Sequence, residues 1–298
     1  MNNMAFRLLF SFLLVLFIAS NVVASDTKTL HMGYHLPSFY RVSQKDIRIC
    51  LDFWAKELGR KTGLNVVNHF YKNIDMMKTD LMSGKIDTLN TSLPLFASSF
   101  DLSFLSPGFK LVCKGQEEGV EMLLLVNKSC KSCKSIQDLR SKVLARIQGD
   151  PLEKLYLDLE LLQKFHIDMN KFFRKVIGVK KYHAAIVKVF FNKADVALVS
   201  RRAYALAIDL NPQIARKMKI IHHFTIKVTN GTFFRKSVKL RQNMDTYRDI
   251  ALNLYKTARG KQILEVFGAD YILENSLEDI VYIRNLQKKR HALEKSLK

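Results

Sequence analysis

Apolar and polar positions along the chain repeat with two periods, one of strands and one of helices. Residues 29–34 and 64–71 have strand character. Between them, Ile47, Cys50, Leu51, Trp54 and Leu58 fall at i, i+3, i+4, i+7 and i+11, which lays one apolar stripe along a helix at 46–62, with Gly63 as its stop. Residues 74–82 predict a short helix ended by Gly84, and 86–89 a short apolar step. The run at 120–126 is continuously apolar, as in a strand buried on both faces. Residues 143–147 predict another strand. Asp150-Pro151-Leu152-Glu153 then opens a helix: Asp150 can cap it, Pro151 suits its first position, and Glu153 can reach back in a capping box. Leu152, Leu155, Leu159 and Leu162 give that helix one buried stripe. Further on, 183–191 predicts a helix and 194–200 a strand. Residues 219–222 and 224–228 are strand-like, Asn230-Gly231 is a turn, and 241–255 and 258–267 are helices, with Gly268 after the second. A last helix spans 277–297. This alternation predicts an α/β fold with largely parallel sheets. There is no internal repeat and no low-complexity linker.

The first 24 residues differ in kind. They carry one charge, Arg7, then an apolar run from Leu8 to Ile18, and close on Val22-Val23-Ala24. That is the anatomy of a secretory leader, so residues 1–24 are expected to be removed on export, with an uncleaved N-terminal anchor as the alternative. The whole chain has 298 residues, 48% hydrophobic and 25% charged, with 12 Gly and 5 Pro, which excludes collagen-like and disordered classes and leaves room for two lobes. Its formal net charge of +21 attracts anionic solutes and surfaces, or simply solubilises the chain. Basic residues are locally in excess at 168–193 and at the C-terminus.

Candidate chemistry is sparse. The chain has no G-x-S-x-G, G-x-x-x-x-G-K-[ST], H-E-x-x-H or G-x-G-x-x-G, so no reaction and no cofactor are expected. His222 and His223 are adjacent and, in a strand, point to opposite faces, a poor metal pair. Cys130-Lys131-Ser132-Cys133 is a C-x-x-C followed by Lys134 rather than His, with no second pair for zinc. It reads as a local disulfide, a redox pair or inert thiols, and Cys50 as a core residue.

Several stretches resemble, in consistent order, the phosphonate/phosphate-type substrate-binding proteins of bacterial ABC transporters. They are Gly33-Tyr34-His35-Leu36-Pro37, Leu81-Met82-Ser83-Gly84-Lys85-Ile86-Asp87, the strand from Val120 to Lys128 followed by Ser135-Ile136-Gln137-Asp138-Leu139-Arg140-Ser141-Lys142, Tyr182-His183-Ala184-Ala185, and Asn192-Lys193-Ala194-Asp195-Val196-Ala197. Ser141 stands where that family usually has Gly. The resemblance implies a type II periplasmic binding fold: two α/β lobes joined by two crossover strands, with ligand in the cleft between them. Lobe one would be 29–112 plus 227–268, lobe two 118–224, and 277–298 an added basic helix outside the core.

The same resemblance points to ligand-binding positions. Asn90, Thr91 and Ser92 follow the 86–89 step and either face the cleft or cap the next helix. Tyr34 stands at the cleft edge or in ordinary packing. His183 and Asp195 match family cleft positions, or are a solvated helix start and a strand terminator. In the family a hydroxyl cluster opens a lobe-two helix and meets an anion. The matching stretch here is 149–155, where Glu153, Lys154 and Leu155 replace the hydroxyl cluster, leaving Lys154 as its cation, while capping alone accounts for Asp150 and Glu153.

The expected function is an exported, periplasmic solute-binding protein, not an enzyme. It would capture a small anionic, phosphonate- or phosphate-like ligand for the membrane permease of an ABC transporter. The alternative is a pocket-diverged sensory or interaction module of the same fold, partnered by a sensor protein; a redox role for the C-x-x-C is a third. A monomer is expected, and nucleic acid is not, because aromatic–basic interleaving is missing. The basic tail, with Leu286, Leu293 and Leu297 in a thin stripe, reads as a solvated helix or a surface for anionic lipid or a partner helix.

Overall fold

The computed structural model describes residues 29–297 apart from 41, 228–229 and 237–240. The leader expected at 1–24 lies outside them. The chain opens with β1 (Thr29–His35), a 3-10 turn at Leu36–Ser38, α1 (Gln44–Thr62), β2 (Asn65–Tyr71), α2 (Ile74–Met82), β3 (Thr88–Thr91), α3 (Leu93–Ser99) and β4 (Leu105–Val112). It continues with β5 (Val120–Asn127), β6 (Val143–Ile147), α4 (Pro151–Phe165), α5 (Met169–Phe172), β7 (Lys175–Val179), α6 (Tyr182–Phe190), β8 (Val196–Ser200), α7 (Arg201–Leu210), α8 (Gln213–Lys217) and β9 (Met218–Ile226). It ends with β10 (Gly231–Arg235), α9 (Arg241–Leu252), α10 (Ala258–Val266), β11 (Tyr271–Glu274) and α11 (Leu277–Lys295).

Among the described residues the strands form two sheets, of order β11-β4-β10-β3-β1-β2 and β7-β6-β8-β5-β9. The chain passes between them twice, after β4 and after β9. Parallel ladders join β1 to β2 and β3, and β6 to β7 and β8. The ladders made by β10, β11 and β5 are antiparallel, so the expectation of largely parallel sheets is corrected to mixed sheets. The reason is topological: β5 and β10 each enter a sheet from the other one, so their direction is not set by a crossover helix within their own sheet, and both pair antiparallel with their neighbours. Where the passages run side by side, Gly119 has φ +137, and a Cβ there would stand 2.6 Å from the carbonyl oxygen of Ile226. A side chain at that position is therefore excluded twice over, by conformation and by space.

Burial follows the sequence pattern closely in the central strands. In β5, Met122, Leu124 and Val126 join one core cluster, while Leu123 and Leu125 join another on the opposite face, all at 0–1% exposure. The stripe of α1 packs with Leu30, Met32 and Tyr34 in a third cluster, under α9 and α10. Helix α1 is capped by Ser43, which accepts from the Asp46 amide at 3.1 Å, and stops at Gly63 in the left-handed region, φ 72.

The last helix overturns the expectation of an appendage outside the core. Ile280 and Ile283 of α11 are fully buried, and Leu286 and Leu293 pack against the same cluster. That cluster draws on both sheets: Phe96 and Phe233 from the side of the first, Leu124 and Leu198 from the second. Arg284 donates to the carbonyls of Ala97 and Phe100 at 2.9 and 3.0 Å, closing the end of α3. Arg290 reaches Asp158 of α4 at 2.8 Å. The tail thus ties α3 of the first layer to α4 of the second. Strand β11 likewise lies beyond the expected lobe-one end at residue 268, yet pairs with β4.

Ser141 occupies a left-handed position, φ 62, and its amide donates to the Phe172 carbonyl at 2.8 Å. This gives a physical reason for glycine at that place in similar proteins, since a Cβ in the left-handed region costs about 1–2 kcal/mol. Ser141→Gly is expected to stabilise the protein by about 1 kcal/mol, less the backbone freedom glycine adds to the unfolded chain. Chemical denaturation measures it; no gain would remove the strain from the account.

Candidate functional site

The cleft lies where the carboxyl ends of the parallel strands of both sheets come together, the position at which open α/β sheets bind ligands. A cavity of about 510 Å³ opens there. From the first sheet it is lined by Ser38 after β1 and by Asn90, Thr91 and Ser92 at the end of β3; from the second by Asp150, Tyr182, Ser200 and Arg202; and between them by Lys110, Glu117 and Lys227.

Ser38 is the knot of the first-sheet side. Its hydroxyl accepts from the Ser92 amide at 3.1 Å and lies 2.9 Å from the Thr91 hydroxyl and 2.8 Å from Nδ1 of His35. Asn90 donates to the Gly33 carbonyl at 3.1 Å and accepts from the Thr232 hydroxyl, which orients its amide along the cleft floor. Hydroxyls rotate, so this cluster can turn donors towards an oxyanion without moving the backbone. Helix α3 begins at Ser92, whose side chain makes no capping bond.

Burial lowers the His35 pKa below its ordinary value of 6.5, so the ring enters this network neutral. In the unfolded chain the imidazole gains its proton as pH falls through 6.5, while the folded ring resists it. The unfolded state therefore binds more protons, and stability is lost as pH drops below that value. His69 and His222 are also lowered, desolvation leading in each, and act in the same direction. His35→Gln is expected to lose less stability than the parent between about pH 7.5 and about pH 5.5, measured by denaturant titration at both. An unchanged slope would exclude His35 as a contributor.

The second-sheet side is built differently from the resemblance. Asp150 caps α4, accepting from the amides of Leu152 and Glu153 at 3.0 and 3.1 Å, so the first-turn donors are already taken. Glu153 does not close a capping box. It is fully buried, accepts from the Tyr182 hydroxyl at 2.8 Å, and faces Nε of Arg146 at 3.4 Å, an ion-pair distance without hydrogen-bond geometry. Arg146 also donates to the Asp150 carbonyl. The opening of α4 is thus a structural ion-pair assembly with Tyr182 turned towards the cleft.

Of the residues singled out in the sequence, Tyr34, Asn90, Thr91 and Ser92 line the cavity and Lys154, His183 and Asp195 do not. Lys154 points along its helix to Asp158, which Arg290 and the Met169 amide also hold. Asp195 accepts from the Val143 amide at 2.7 Å, at the amino end of β8. Ser200, at the other end of the same strand, is the one at the cleft. His183 is exposed at the start of α6, the solvated helix start that was its alternative reading, and its half-buried neighbour Tyr182 takes the cleft position. Cys130 and Cys133 form a disulfide across a loop remote from the cavity lining.

Sequence reasoning missed Ser38, Arg202 and Lys227. Ser38 follows directly on the quoted Gly33–Pro37 stretch, and Ser200-Arg201-Arg202 follows a predicted strand, so both carried a positional signal. Arg202, from the second sheet's layer, pairs with Asp270 of the first at 2.7 Å and holds that carboxyl below the usual range. This pair joins the two layers beside the cavity that Arg202 lines. Among the described residues, no helix is long and apolar enough to cross a membrane, and no group of three or more His, Cys, Asp or Glu is placed to hold a metal.

The fold is shared with solved proteins. A binding-protein component of an ABC phosphonate transporter from Pseudomonas aeruginosa superposes with TM-score 0.63 at 16% identity, over 92% of this chain and 90% of that one. PhnD1 from Prochlorococcus marinus, in complex with methylphosphonate, gives TM-score 0.63 at 16% identity, over 89% and 99%. A Xanthomonas citri protein bound to ATP gives 0.60 at 14%, over 90% and 98%. No curated protein sequence matches the chain significantly. The family of periplasmic phosphonate substrate-binding proteins of ABC transporters is matched over residues 41–279. By that match the chain belongs to this family of periplasmic substrate-binding proteins.

Proposed function

We propose that the protein captures a small phosphonate-like oxyanion in the cleft between its two sheets and presents it to the membrane permease of an ABC importer. The observation that carries this reading is the cavity itself. At the strand ends of both sheets it sets the Ser38–Thr91–Ser92 hydroxyl and amide cluster within one chamber shared with Arg202 and Lys227. Ligand contacts to both sides favour the closed arrangement, with the passages after β4 and after β9 absorbing the rotation. In this reading residues 29–112 with 227–268, extended by β11, move as one lobe and 118–224 as the other. A cleaved leader at 1–24, a monomeric state and the permease partner belong to the same proposal.

One observation favours the pocket-diverged alternative, a sensory or interaction module. The amides that open α4 are occupied by the chain's own Asp150. A thermal-shift screen against phosphate, phosphite, methylphosphonate, sulfate and small carboxylates separates the two. At about 100 times its dissociation constant, a ligand should stabilise the protein by about 2.7 kcal/mol. Ser38→Ala should weaken the ligand found by about tenfold or more, the worth of one hydrogen bond to a charged group. No shift with any oxyanion would leave the alternative standing.

A further inference from the structure

The cavity is larger and more apolar than a small oxyanion requires. Behind Ser38 and Thr91 it continues past Phe39 and Val42 into the helix side of the first layer, where Leu51 and Trp54 of α1, Tyr247 and Ala251 of α9, and Leu264 of α10 form its walls. Its volume of about 510 Å³ falls within the range of drug-sized ligand sites, about 300–1,000 Å³, whereas methylphosphonate has only five non-hydrogen atoms. Ordinary cores are packed with few voids larger than a water molecule. An empty apolar chamber also lowers stability in proportion to its volume, which an apolar occupant restores.

The two ends of the cavity have opposite chemistry. At the cleft end stand the hydroxyls and amides around Ser38, Asn90, Thr91 and Ser92, and the lining also holds the cation Arg202, paired with Asp270 at 2.7 Å. In the inner chamber the polar groups are two phenols and the Trp54 indole, which hydrogen-bonds Tyr247: Tyr34 and Tyr247 are each 2% exposed, burial raises the pKa of both hydroxyls, and the Tyr34 hydroxyl meets the Met32 sulfur at 3.5 Å. A charged group is disfavoured in that chamber and an alkyl chain is not.

We propose that the ligand is an amphiphilic oxyanion whose head group sits at the Ser38–Thr91–Ser92 end of the cleft and whose alkyl chain fills the chamber walled by Leu51, Trp54, Tyr247, Ala251 and Leu264. This rests on the anion-capturing reading above and names the substrate class for it. Chain and head are recognised separately: the head by donors and cations at the strand ends, the chain by area removed from water.

The test uses n-alkylphosphonates from methyl to octyl, below their aggregation concentrations, in calorimetric titrations of the full protein. Each methylene that enters the chamber should tighten binding about fourfold, which corresponds to about 0.8 kcal/mol per buried CH2. Octanoate and octanol run alongside, so that the demand for a phosphonate head, any anionic head or no head is read directly. Trp54 is the only tryptophan in the sequence and stands in the chamber wall, so its fluorescence reports on this place alone. An ω-bromooctylphosphonate should quench it and bromomethylphosphonate should not. Ala251→Trp, which fills the chamber, should abolish the gain with chain length, with circular dichroism checking that the variant folds. Affinity that is flat or falls with chain length, without quenching of Trp54, would overturn this inference and leave the capture of small oxyanions intact. Binding by octanol but by no phosphonate of any length would overturn the anion reading and this proposal with it.

Discussion

Arg146→Ala is expected to destabilise the protein by about 3–5 kcal/mol, the range for breaking a buried ion pair by removing one partner. Arg146 is 7% exposed and Glu153 is fully buried. Removing the guanidinium strips the cation from the face of that carboxylate and takes a donor from the Asp150 carbonyl. Against a total stability of about 5–15 kcal/mol for an ordinary domain, that loss removes between about a fifth of the margin and all of it. The double variant Arg146→Met with Glu153→Leu should recover most of the loss, because replacing both charges with apolar groups of similar size removes the desolvation cost together with the attraction. Urea midpoints of Arg146→Met, Glu153→Leu and the double variant close the cycle. A single variant within about 0.5 kcal/mol of the parent would mean that the pair is hydrated and that the opening of α4 is not the rigid assembly described.

The same helix opening marks how far the sequence could be read. Asp150-Pro151 announces a capped helix, and the cap forms as the residue types require. The fate of Glu153 was not legible: a capping box and a buried ion pair use the same residue, and only the position of Arg146 on β6 and Tyr182 on α6 decides between them. Strands with a clear period, such as β5 and β6, were readable from their apolar runs. Strand β4 was not, because Pro107 and Gly108 break its pattern. Gly108 is there for space, since a Cβ would come within 2.4 Å of the Thr232 carbonyl oxygen. The short strands β10 and β11 gain their shape from pairing with β4, a tertiary fact with no local signal.

Asn90, Thr91 and Ser92 could be placed at the cavity from sequence because small polar residues that close a buried apolar step emerge at the carboxyl end of its strand, although β3 itself runs on through Thr91. Lys154 and Asp195 were misplaced because similarity in chain order gives a position but not a direction. Asp195 lies five residues before Ser200, about 16 Å along the strand from the cleft end. Lys154 sits one helical turn before Asp158, and an (i, i+4) pairing with that carboxylate was available to it from sequence alone.

Ile280→Ala and Ile283→Ala in α11 are each expected to lower stability by about 3 kcal/mol, and the pair by nearly the sum less their coupling. Both side chains are 0% exposed in a cluster fed by both sheets. Deleting their methyl groups opens voids between α3, α4 and α11, which belong to different layers. The two layers share this cluster, so calorimetry should show one transition moving to lower temperature, not a second transition splitting away. A charged, solvated tail predicts the opposite: changes within about 0.5 kcal/mol and an unmoved midpoint. The distinction matters for the cleft, because α11 closes the end of α3 through Arg284 and holds Asp158 of α4 through Arg290. A helix so anchored limits how far the two layers can separate, so loosening it should widen the open state. Ligand affinity should then fall along with stability in the same variants, since a binding-competent arrangement populated less often lowers the apparent affinity by that fraction.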